Sequence, residues 1–350
     1  MNTLLSRRIG GFLLAASLLS LAACQQDPQS ANGPESVLPL SAGTPAAHPA
    51  ITYTSSVVSH NSTYATVGVM DTNAANQTNI VTATSTSTWI VSPSWSATGA
   101  SIAWAQGLNT GASASQLEAL DVSVNSKGVP AGANVRTIYS TSNADSMSVN
   151  FPAWCSVSST GKIAFVRQHI GSLLGESELC TVSQSGGSET VLQTVRAYQW
   201  TGNYRIYGRY RYPTWSPDDS KIAVVRTDTD AYLNTPWHQT ILIVDAASGA
   251  VTDSIPLAMN VSGLQWSRTG TNQLVFSARG TSGSFLLYYC ASSTGSTPTT
   301  NSVVGTFPTW SPNNSGVAYL NSGLQKNVPF TSTTSTVSSS FTGSYPNWKR

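Results

Sequence analysis

Short apolar runs of the strand type alternate with polar turns along most of this chain. The runs "KIAFV" at 162–166 and "KIAVV" at 221–225 each follow a polar turn, and "TILIVDAASGAV" at 240–251 ends in one. Helical periodicity is missing between 51 and 350, which argues against alternating α/β architectures. The pattern therefore predicts an all-β domain.

A longer repeat organises these strands. "YPTWSPDDSKIAVVR" begins at Tyr212, and "FPTWSPNNSGVAYL", which begins at Phe307, is nearly a second copy. Related segments place six tryptophans along the chain: Trp95, Trp154, Trp215, Trp266, Trp310 and Trp348. Successive tryptophans are 59, 61, 51, 44 and 38 residues apart, so each interval holds three or four strands. Four-stranded units that cannot bury their own faces stack around an axis as a β-propeller.

The repeat also carries a family resemblance. "PTWSPDDSKIAVV" followed by "ILIVDAASG" resembles the WD-type repeat of the TolB propeller family, and the match covers 51–350 as six repeats. The resemblance implies a six-bladed propeller with four-stranded blades. "SYPNW" at 344–348 has the motif without a following strand, whereas "ITYTSSVVS" at 51–59 has the form of an innermost strand without a motif. We therefore expect the two segments to pair and close the ring.

TolB-like proteins are periplasmic and carry a separate α/β domain before the propeller. Here we expect only a tether before 51, so the partner contacts of TolB do not carry over to this chain. The resemblance implies that proteins of this family commonly bind other envelope proteins.

The first 23 residues have the form of a lipoprotein signal peptide. Arg7 and Arg8 precede an apolar stretch at 9–21, which is too short to span a bilayer. The stretch ends in "LAAC" at Cys24, which resembles the lipobox of bacterial lipoproteins and implies that Cys24 is lipidated and holds the protein at the membrane. Gln25, where proteins retained in the inner membrane often have Asp, points to the outer membrane, with the periplasmic or surface face left open.

The composition limits the kinds of partner and of chemistry that we expect for this protein. Residues 24–50 are rich in Pro, Ser, Ala and Gly and are expected to form a flexible tether. A net charge of +2 with 9% charged residues does not suggest nucleic acid as a partner. No G-x-S-x-G pentapeptide occurs, and the four histidines have no metal-ligand spacing. We therefore expect no catalysis, no metal and no cofactor.

The six tryptophans and two of the cysteines have structural interpretations. Large aromatic side chains mostly supply buried area, so we expect the tryptophans to pack between blades, with acceptors in the turns for their indole nitrogens. Cys155 and Cys180 flank the inner strand of one predicted blade and are the preferred disulfide pair, with Cys290 left over.

Two stretches exceed what the repeat requires. The first, "WTGNYRIYGRYRYPTW" at 200–215, interleaves arginine with aromatic residues. Period-two alternation places Arg205, Tyr207 and Arg209 on one face of a strand, and Tyr210 and Tyr212 on the other. With Trp200 and Tyr204, this surface suits stacking on sugars or docking on a protein. Alternatively, the tyrosines fill a gap in the blade and the arginines point to water.

The second stretch, "RTDTDAYLNTPWHQ" at 226–239, reads as an insertion between the first two strands of the following blade. It contributes Asp228, Asp230 and Trp237, which we expect to share one face of the propeller with Trp200 on the adjacent blade. Alternatively, it is a solvated loop or an incidental D-x-D cation site.

These features predict a lipid-anchored scaffold of the cell envelope that binds other envelope proteins through one face of a propeller. Two alternatives stay open: a protein that binds or acts on carbohydrate or peptidoglycan through the same face, and a structural subunit of a surface assembly.

Overall fold

A computed structural model describes residues 50–59, 62–74, 76–108, 115–126, 129–142, 147–169, 176–196, 200–201, 204–230, 238–280 and 283–349. The predicted signal peptide, Cys24 and the predicted tether up to 49 lie outside these residues. Among the described residues, no helix is long and apolar enough to cross a membrane.

The strands form six antiparallel sheets arranged as a β-propeller, which confirms the predicted fold class. Each sheet is a blade, numbered here from the first strand along the chain. Blade 1 consists of β25 (Ser344–Trp348), β1 (Ile51–Ser59), β2 (Ser62–Met70) and β3 (Thr78–Thr82), and blade 2 of β4 (Thr88–Trp95), β5 (Ser101–Leu108), β6 (Ser115–Val124) and β7 (Pro130–Ser140). Blade 3 consists of β8 (Met147–Trp154), β9 (Lys162–His169), β10 (Glu176–Ser183) and β11 (Thr190–Arg196).

The second half of the propeller has one additional strand. Blade 4 consists of β12 (Trp200–Thr201), β13 (Tyr204–Trp215), β14 (Lys221–Asp230), β15 (His238–Asp245) and β16 (Val251–Leu257). Blade 5 consists of β17 (Asn260–Trp266), β18 (Gln273–Arg279), β19 (Leu286–Ala291) and β20 (Thr299–Val304), and blade 6 of β21 (Thr306–Trp310), β22 (Val317–Leu320), β23 (Leu324–Asn327) and β24 (Thr334–Ser338).

Blade 1 joins the first strand of the chain to the last. Ile51 of β1 pairs with Trp348 of β25, and Lys349 N donates to Ala50 O at 2.5 Å. The expected pairing of 51–59 with 344–348 is therefore present. The position of β1 differs from the expectation: β25 is the innermost strand of blade 1, and β1 is the second. The tryptophan motif thus ends the inner strand of every blade, so β25 needs no strand after it.

The core lies in layers between neighbouring blades. Five clusters of buried apolar side chains fill the junctions around the ring. Each of the six repeat tryptophans belongs to one of these clusters and is at most 5% exposed. The expected indole acceptors are missing for three of the six tryptophans. Trp215 Nε1 donates to Ala153 O at 2.9 Å, but the Nε1 atoms of Trp95, Trp266 and Trp310 are buried without a hydrogen-bond partner.

A ring of hydrogen bonds links the inner strands at the tryptophan motifs. In five of the six junctions, the side chain one position before a tryptophan accepts from the backbone N–H of the tryptophan of the next blade. The pairs are Ser94 Oγ with Trp154, Thr214 Oγ1 with Trp266, Gln265 Oε1 with Trp310, Thr309 Oγ1 with Trp348 and Asn347 Oδ1 with Trp95, at 2.7 to 3.2 Å. The sixth position is Ala153, which has no acceptor in its side chain.

Candidate functional site

The inner strand of each blade carries a bulge directly before its tryptophan. The pairing register shifts between Asn150 and Ala153 in β8 and between Arg211 and Thr214 in β13, and equivalent shifts occur in the other inner strands. An extra residue in one strand bends it and re-aims a side chain. The bulge therefore gives each inner strand one residue that leaves the pleat.

That residue has a positive φ in all six blades. The angles are Ser92 54°, Phe151 54°, Tyr212 54°, Gly263 100°, Phe307 51° and Tyr345 52°. Five of these residues precede a proline, which normally holds the preceding residue in an extended conformation. A bulky side chain at positive φ is an outlier that persists only where the surrounding structure imposes it. Here the bulge and the packed tryptophan impose it six times.

These six residues line a cavity on the axis of the propeller. Its wall is completed by the five prolines that follow them, by Leu264, by five of the six residues that precede a repeat tryptophan, by Trp154 and Trp215, and by Arg268. The cavity has a volume of about 90 Å³, which exceeds the roughly 10–15 Å³ that a single water molecule needs.

Four aromatic side chains form an arc around this cavity, which we call the aromatic collar: Phe151, Tyr212, Phe307 and Tyr345. Ring centroids lie 4.7 Å apart for Phe151 and Tyr212, 6.5 Å for Tyr212 and Phe307, and 4.5 Å for Phe307 and Tyr345. Tyr212 and Phe307 belong to blades 4 and 6, and they meet because Gly263 stands between them in blade 5 and has no side chain. A Cβ on Gly263 would lie 2.9 Å from Phe307 Cα.

The arc is open at blade 2, where the equivalent residue is Ser92. The Ser92 Oγ atom is buried and has no hydrogen-bond partner. A buried hydroxyl without a partner is uncommon in folded proteins and suggests an occupant that supplies one.

Charge at the cavity comes from arginine. Arg268 Nη2 donates to Trp348 O at 2.9 Å, so the side chain reaches from blade 5 past blade 6 to the inner strand of blade 1. It therefore lies at the end of the propeller where the inner strands finish, which we call the tryptophan end. Arg211 interacts with both collar tyrosines. Burial raises the pKa of Tyr212 and of Tyr345, and the positive charge of Arg211 only partly opposes the shift, so both phenols stay protonated at neutral pH.

The structure brings the two predicted stretches together within one blade. β13 carries the first stretch and β14 begins the second, and the register pairs Ile206 with Asp230 and Gly208 with Asp228. The expectation that they belong to adjacent blades is wrong. The residues 231–237 follow the second strand of blade 4 and precede the third, because the strand after a tryptophan is the second of its blade. The start of β13 and the end of β14 lie at the same end of blade 4, as the expected shared face requires. Trp237 lies outside the described residues.

The predicted alternation along β13 is visible where side chains are described. Arg209 is exposed, whereas Tyr210 is 2% exposed and belongs to the core between blades 3 and 4. Tyr212 follows the bulge and lies in the collar instead of the sheet face. The described tyrosines therefore fill the propeller, and Arg209 faces outward.

The remaining predicted site residues are placed only in part. Asp228 accepts from Arg226 Nε at 3.1 Å, so it forms an ion pair within its own strand. Five further predicted residues have their backbones in strands, but the structure does not describe their side chains: Trp200, Tyr204, Arg205, Tyr207 and Asp230. Trp200 pairs with Arg205, which places β12 on the axial side of β13.

The predicted disulfide between Cys155 and Cys180 is not formed. Cys155 N donates to Lys162 O of β9, and Cys180 of β10 pairs with Phe165 of the same strand. β9 therefore lies between the two cysteines, which separates them by about 10 Å, whereas a disulfide requires Cα atoms within about 7 Å. The described residues contain no cluster of His, Cys, Asp or Glu that could hold a metal ion.

Sequence reasoning named Tyr212, Trp154 and Trp215 among the residues that line the cavity, but it assigned none of them to a cavity. The signal was present in the aromatic-Pro-x-Trp motif, which had been given a structural role only through its tryptophan. Phe151, Phe307, Tyr345 and Ser92 occupy one position of that motif in four blades. Arg268 has no equivalent in the motif, and only the three-dimensional structure places it at the cavity.

Comparison with known proteins assigns no family to this chain. No family model and no curated protein matches the chain. Several solved structures resemble it. An oligogalacturonate lyase in complex with manganese is 10% identical with a TM-score of 0.47, over 79% of this chain and 76% of that one. A putative 6-phosphogluconolactonase from Bacteroides uniformis is 9% identical with a TM-score of 0.47, over 86% and 99%.

A puromycin hydrolase is 13% identical with a TM-score of 0.44, over 69% of this chain and 34% of that one. The chain thus spans about a third of the length of that enzyme. At these identities the similarity concerns the fold alone. The chain is a six-bladed β-propeller with four-stranded blades, one of them extended by the short strand β12.

Proposed function

We propose that this protein is a lipid-anchored binding scaffold of the bacterial outer membrane, which holds a protein partner against one end of a TolB-like propeller without catalysing a reaction. The observation that carries this proposal is the exposed, charged rim that described residues of blades 2 and 4 form at one end of the propeller.

The connections between the second and third strands lie at one end of blades 2 to 4. They are 109–114 in blade 2, 170–175 in blade 3 and 231–237 in blade 4. All three leave from the end where the inner strands begin, which we call the insertion end. Connections on a rigid scaffold are where binding residues concentrate.

The turns at the tryptophan end bind themselves and their neighbours. Asp218 Oδ1 accepts from Ser220 N at 3.1 Å, and Asn313 Oδ1 accepts from Ser315 N at 3.0 Å. Asp219 also accepts from Ser156 N and Val157 N of the neighbouring blade, at 2.5 and 2.7 Å. These turns hold the blades together, so the insertion end has more freedom to vary for a partner.

Described residues at the insertion end have the character of a polar interface rim. Arg209 is exposed, the Arg226–Asp228 ion pair is more than a third exposed, and Leu108 at the end of β5 is 44% exposed. Arginine is enriched in protein interfaces, and exposed charge pairs contribute more to orientation than to affinity. A lipidated Cys24 would restrict this surface to partners at the same membrane.

A photo-crosslinking amino acid at position 108, incorporated in cells that make the lipoprotein, tests the proposal. Val251 is the matched control, because it is 45% exposed but begins β16 at the tryptophan end. We expect a discrete protein adduct from position 108, no adduct from position 251, and loss of the adduct in a Cys24→Ser variant that is no longer anchored. Retention on cell-wall glycan without any protein adduct would overturn the scaffold and favour the carbohydrate-binding alternative.

A further inference from the structure

We propose that the tryptophan end of blades 6 and 1 docks on an anionic lipid surface, which the side chains of Val328 and Phe330 enter from the turn at 328–331. The proposal rests on the membrane anchor proposed above and specifies which end of the propeller faces the bilayer. The insertion end then points away from the membrane, where a protein partner has access to it.

The turn at 328–331 displays two apolar side chains at the tryptophan end of blade 6. Val317 pairs with both Trp310 and Asn327, so β23 finishes beside the repeat tryptophan and the turn follows directly. Val328 is 45% exposed and Phe330 is 52% exposed. Phe330 is the one exposed phenylalanine among the residues that the structure describes. Since single exposed apolar residues are common on protein surfaces, the conformation of this one has to be considered as well.

Phe330 occupies a backbone position that disfavours it. Thr331 N donates to Val328 O at 3.2 Å, Pro329 is the second residue of the turn, and Phe330, the third, has a φ of 60°. Turns of this kind normally carry glycine or asparagine at the third position, because a bulky side chain is unfavourable at positive φ. The ring contacts Tyr289 at a centroid distance of 4.7 Å, yet about half of its surface remains in solvent. A strained residue that presents an apolar ring to solvent indicates a binding role.

The turn is held rigidly by Asn327. This side chain is fully buried, and its Nδ2 donates to Thr331 O at 3.0 Å and to Thr333 O at 2.8 Å. Its Oδ1 accepts from the Tyr289 hydroxyl at 2.8 Å and from Asn301 Nδ2 at 2.9 Å, both in blade 5. All four hydrogen-bonding positions of the amide are therefore used. A turn fixed in this way loses little conformational entropy when it docks.

The charge on this side of the propeller suits an anionic surface. Residues 258–350, which form blades 5 and 6 and the inner strand of blade 1, include five basic residues and no Asp or Glu, whereas 12 of the 15 acidic residues lie at 118–253. Lys326 Nζ lies 5.8 Å from the ring centroid of Trp348, and Lys349 Nζ lies 5.2 Å from that of Trp95, so both ammonium groups are at the tryptophan end. Lysines attract anionic headgroups while apolar side chains beside them enter the bilayer.

The chain also enters the propeller at this end. Ala50 N donates to Met70 O at 2.8 Å, at the tryptophan end of blade 1, and Leu324 of blade 6 shares an apolar cluster with Ile51. A flexible tether of the 25 residues between Cys24 and Ala50 would have a root-mean-square length of about 25–30 Å. That length is close to the span of one eight-residue strand, about 26 Å, so a lipid on Cys24 reaches the tryptophan end more readily than the insertion end.

The test uses the mature chain with Cys24→Ser, which carries no lipid, so that any binding comes from the protein itself. Co-sedimentation with phosphatidylglycerol vesicles should show binding at least about tenfold tighter than with phosphatidylcholine vesicles, since only the former are anionic. Phe330→Asn should weaken binding to phosphatidylglycerol about tenfold, because the ring no longer enters the bilayer. Asparagine tolerates the φ of this position, so the variant should fold.

Val58→Asn is the matched control. Val58 is 70% exposed and also belongs to blade 1, but it lies near the end of β1 that is remote from Trp348, at the insertion end. Its replacement should leave vesicle binding unchanged. Lys326→Gln should weaken binding to phosphatidylglycerol severalfold and leave binding to phosphatidylcholine unchanged, since it removes a charge and no apolar ring.

Three outcomes would overturn the proposal. They are the absence of phosphatidylglycerol binding by the folded Cys24→Ser chain, equal losses for Phe330→Asn and Val58→Asn, and a discrete protein adduct from a photo-crosslinker at position 328 in cells without vesicle binding. The last result would make the turn a protein contact. Because the chain in the vesicle assay carries no lipid, its result depends neither on lipidation of Cys24 nor on the crosslink at position 108, so the two proposals fail separately.

Discussion

Asn347 Oδ1 accepts a hydrogen bond from Trp95 N at 3.2 Å, although the two residues are 252 positions apart in the chain. This bond joins the inner strand of blade 1 to that of blade 2, and it completes a ring of equivalent bonds at five of the six blade junctions. The ring lies directly beside the aromatic collar, because four of the five acceptors follow a proline that lines the cavity and the fifth, Gln265, lines it itself. The same segment of each repeat therefore fixes the blades to one another and shapes the candidate site.

Removing this link should loosen the closure of the ring. We expect Asn347→Ala to lower the free energy of unfolding by about 1 kcal/mol, because the Trp95 N–H loses its acceptor in a partly buried position. Asn347→Asp keeps an acceptor oxygen and is the control. Urea unfolding followed by tryptophan fluorescence measures both. Equal stability of the alanine variant and the wild type would mean that water replaces the asparagine.

The missing sixth bond offers the opposite experiment. Ala153 occupies the acceptor position between blades 3 and 4, and its side chain has no oxygen. Ala153→Ser should therefore raise the free energy of unfolding by about 0.5–1.5 kcal/mol, with the new hydroxyl accepting from Trp215 N. Ala153→Val, which adds volume without an acceptor, is the control. A loss of stability in the serine variant would show that the junction has no room for the oxygen.

Glu118 should make stability depend on pH. Its side chain is 5% exposed, and burial raises the pKa of the carboxyl above the ordinary value of 4.5, with only partial opposition from the hydrogen bond that Thr137 donates. The folded state therefore keeps a proton that the unfolded state releases. Stability due to this group is complete below the unfolded-state pKa and is lost as pH rises through the folded-state pKa.

Glu118→Gln should remove this component. Between about pH 4 and about pH 8, the difference in unfolding free energy between variant and wild type should shift in favour of the variant as pH rises, since the amide never ionises. Urea titrations at each pH give that difference directly. A difference that stays constant with pH would contradict the assignment of the buried carboxyl.

The cysteines should be unreactive while the protein is folded. Burial raises the pKa of Cys180 and of Cys290 to about 12, so almost no thiolate is present at neutral pH. We expect Cys155, Cys180 and Cys290 to be alkylated by iodoacetamide only after denaturation, without prior reduction. Mass spectrometry of the Cys24→Ser form counts the modified thiols. If alkylation of the denatured protein required a reductant, a disulfide would be present, which would contradict the separation of Cys155 and Cys180 by the register of β8 to β10.

Much of the propeller was predictable because every repeat carries the same tryptophan motif, which can be recognised in the sequence. The tryptophans mark the blades, and the apolar runs after Trp154 and Trp215 mark the second strands. The order of the strands within a blade was harder to predict, because residues 51–59 have the same alternation of apolar and polar residues as an inner strand. Only the pairing of Ile51 with Trp348 shows that β1 is the second strand.

The cavity was not predictable from the same pattern. A residue before proline is expected to be extended, and nothing local indicates that Phe151 or Tyr345 adopts a positive φ. Their meeting also depends on six segments that are remote in sequence. Arg268 shows the limit most clearly, since its contact with Trp348 O spans 80 positions and an intervening blade.

The inner strand of blade 1 is the last strand of the propeller to be made, which has a consequence for assembly. During synthesis from the amino end, β1 to β3 emerge first but lack the strand that covers their axial edge until β25 appears. The strand edge of β1 therefore stays open to other partners for the whole interval. A chaperone that shields exposed strand edges would act on this intermediate, and arrest of synthesis before Ser344 should leave a protease-sensitive, unclosed chain.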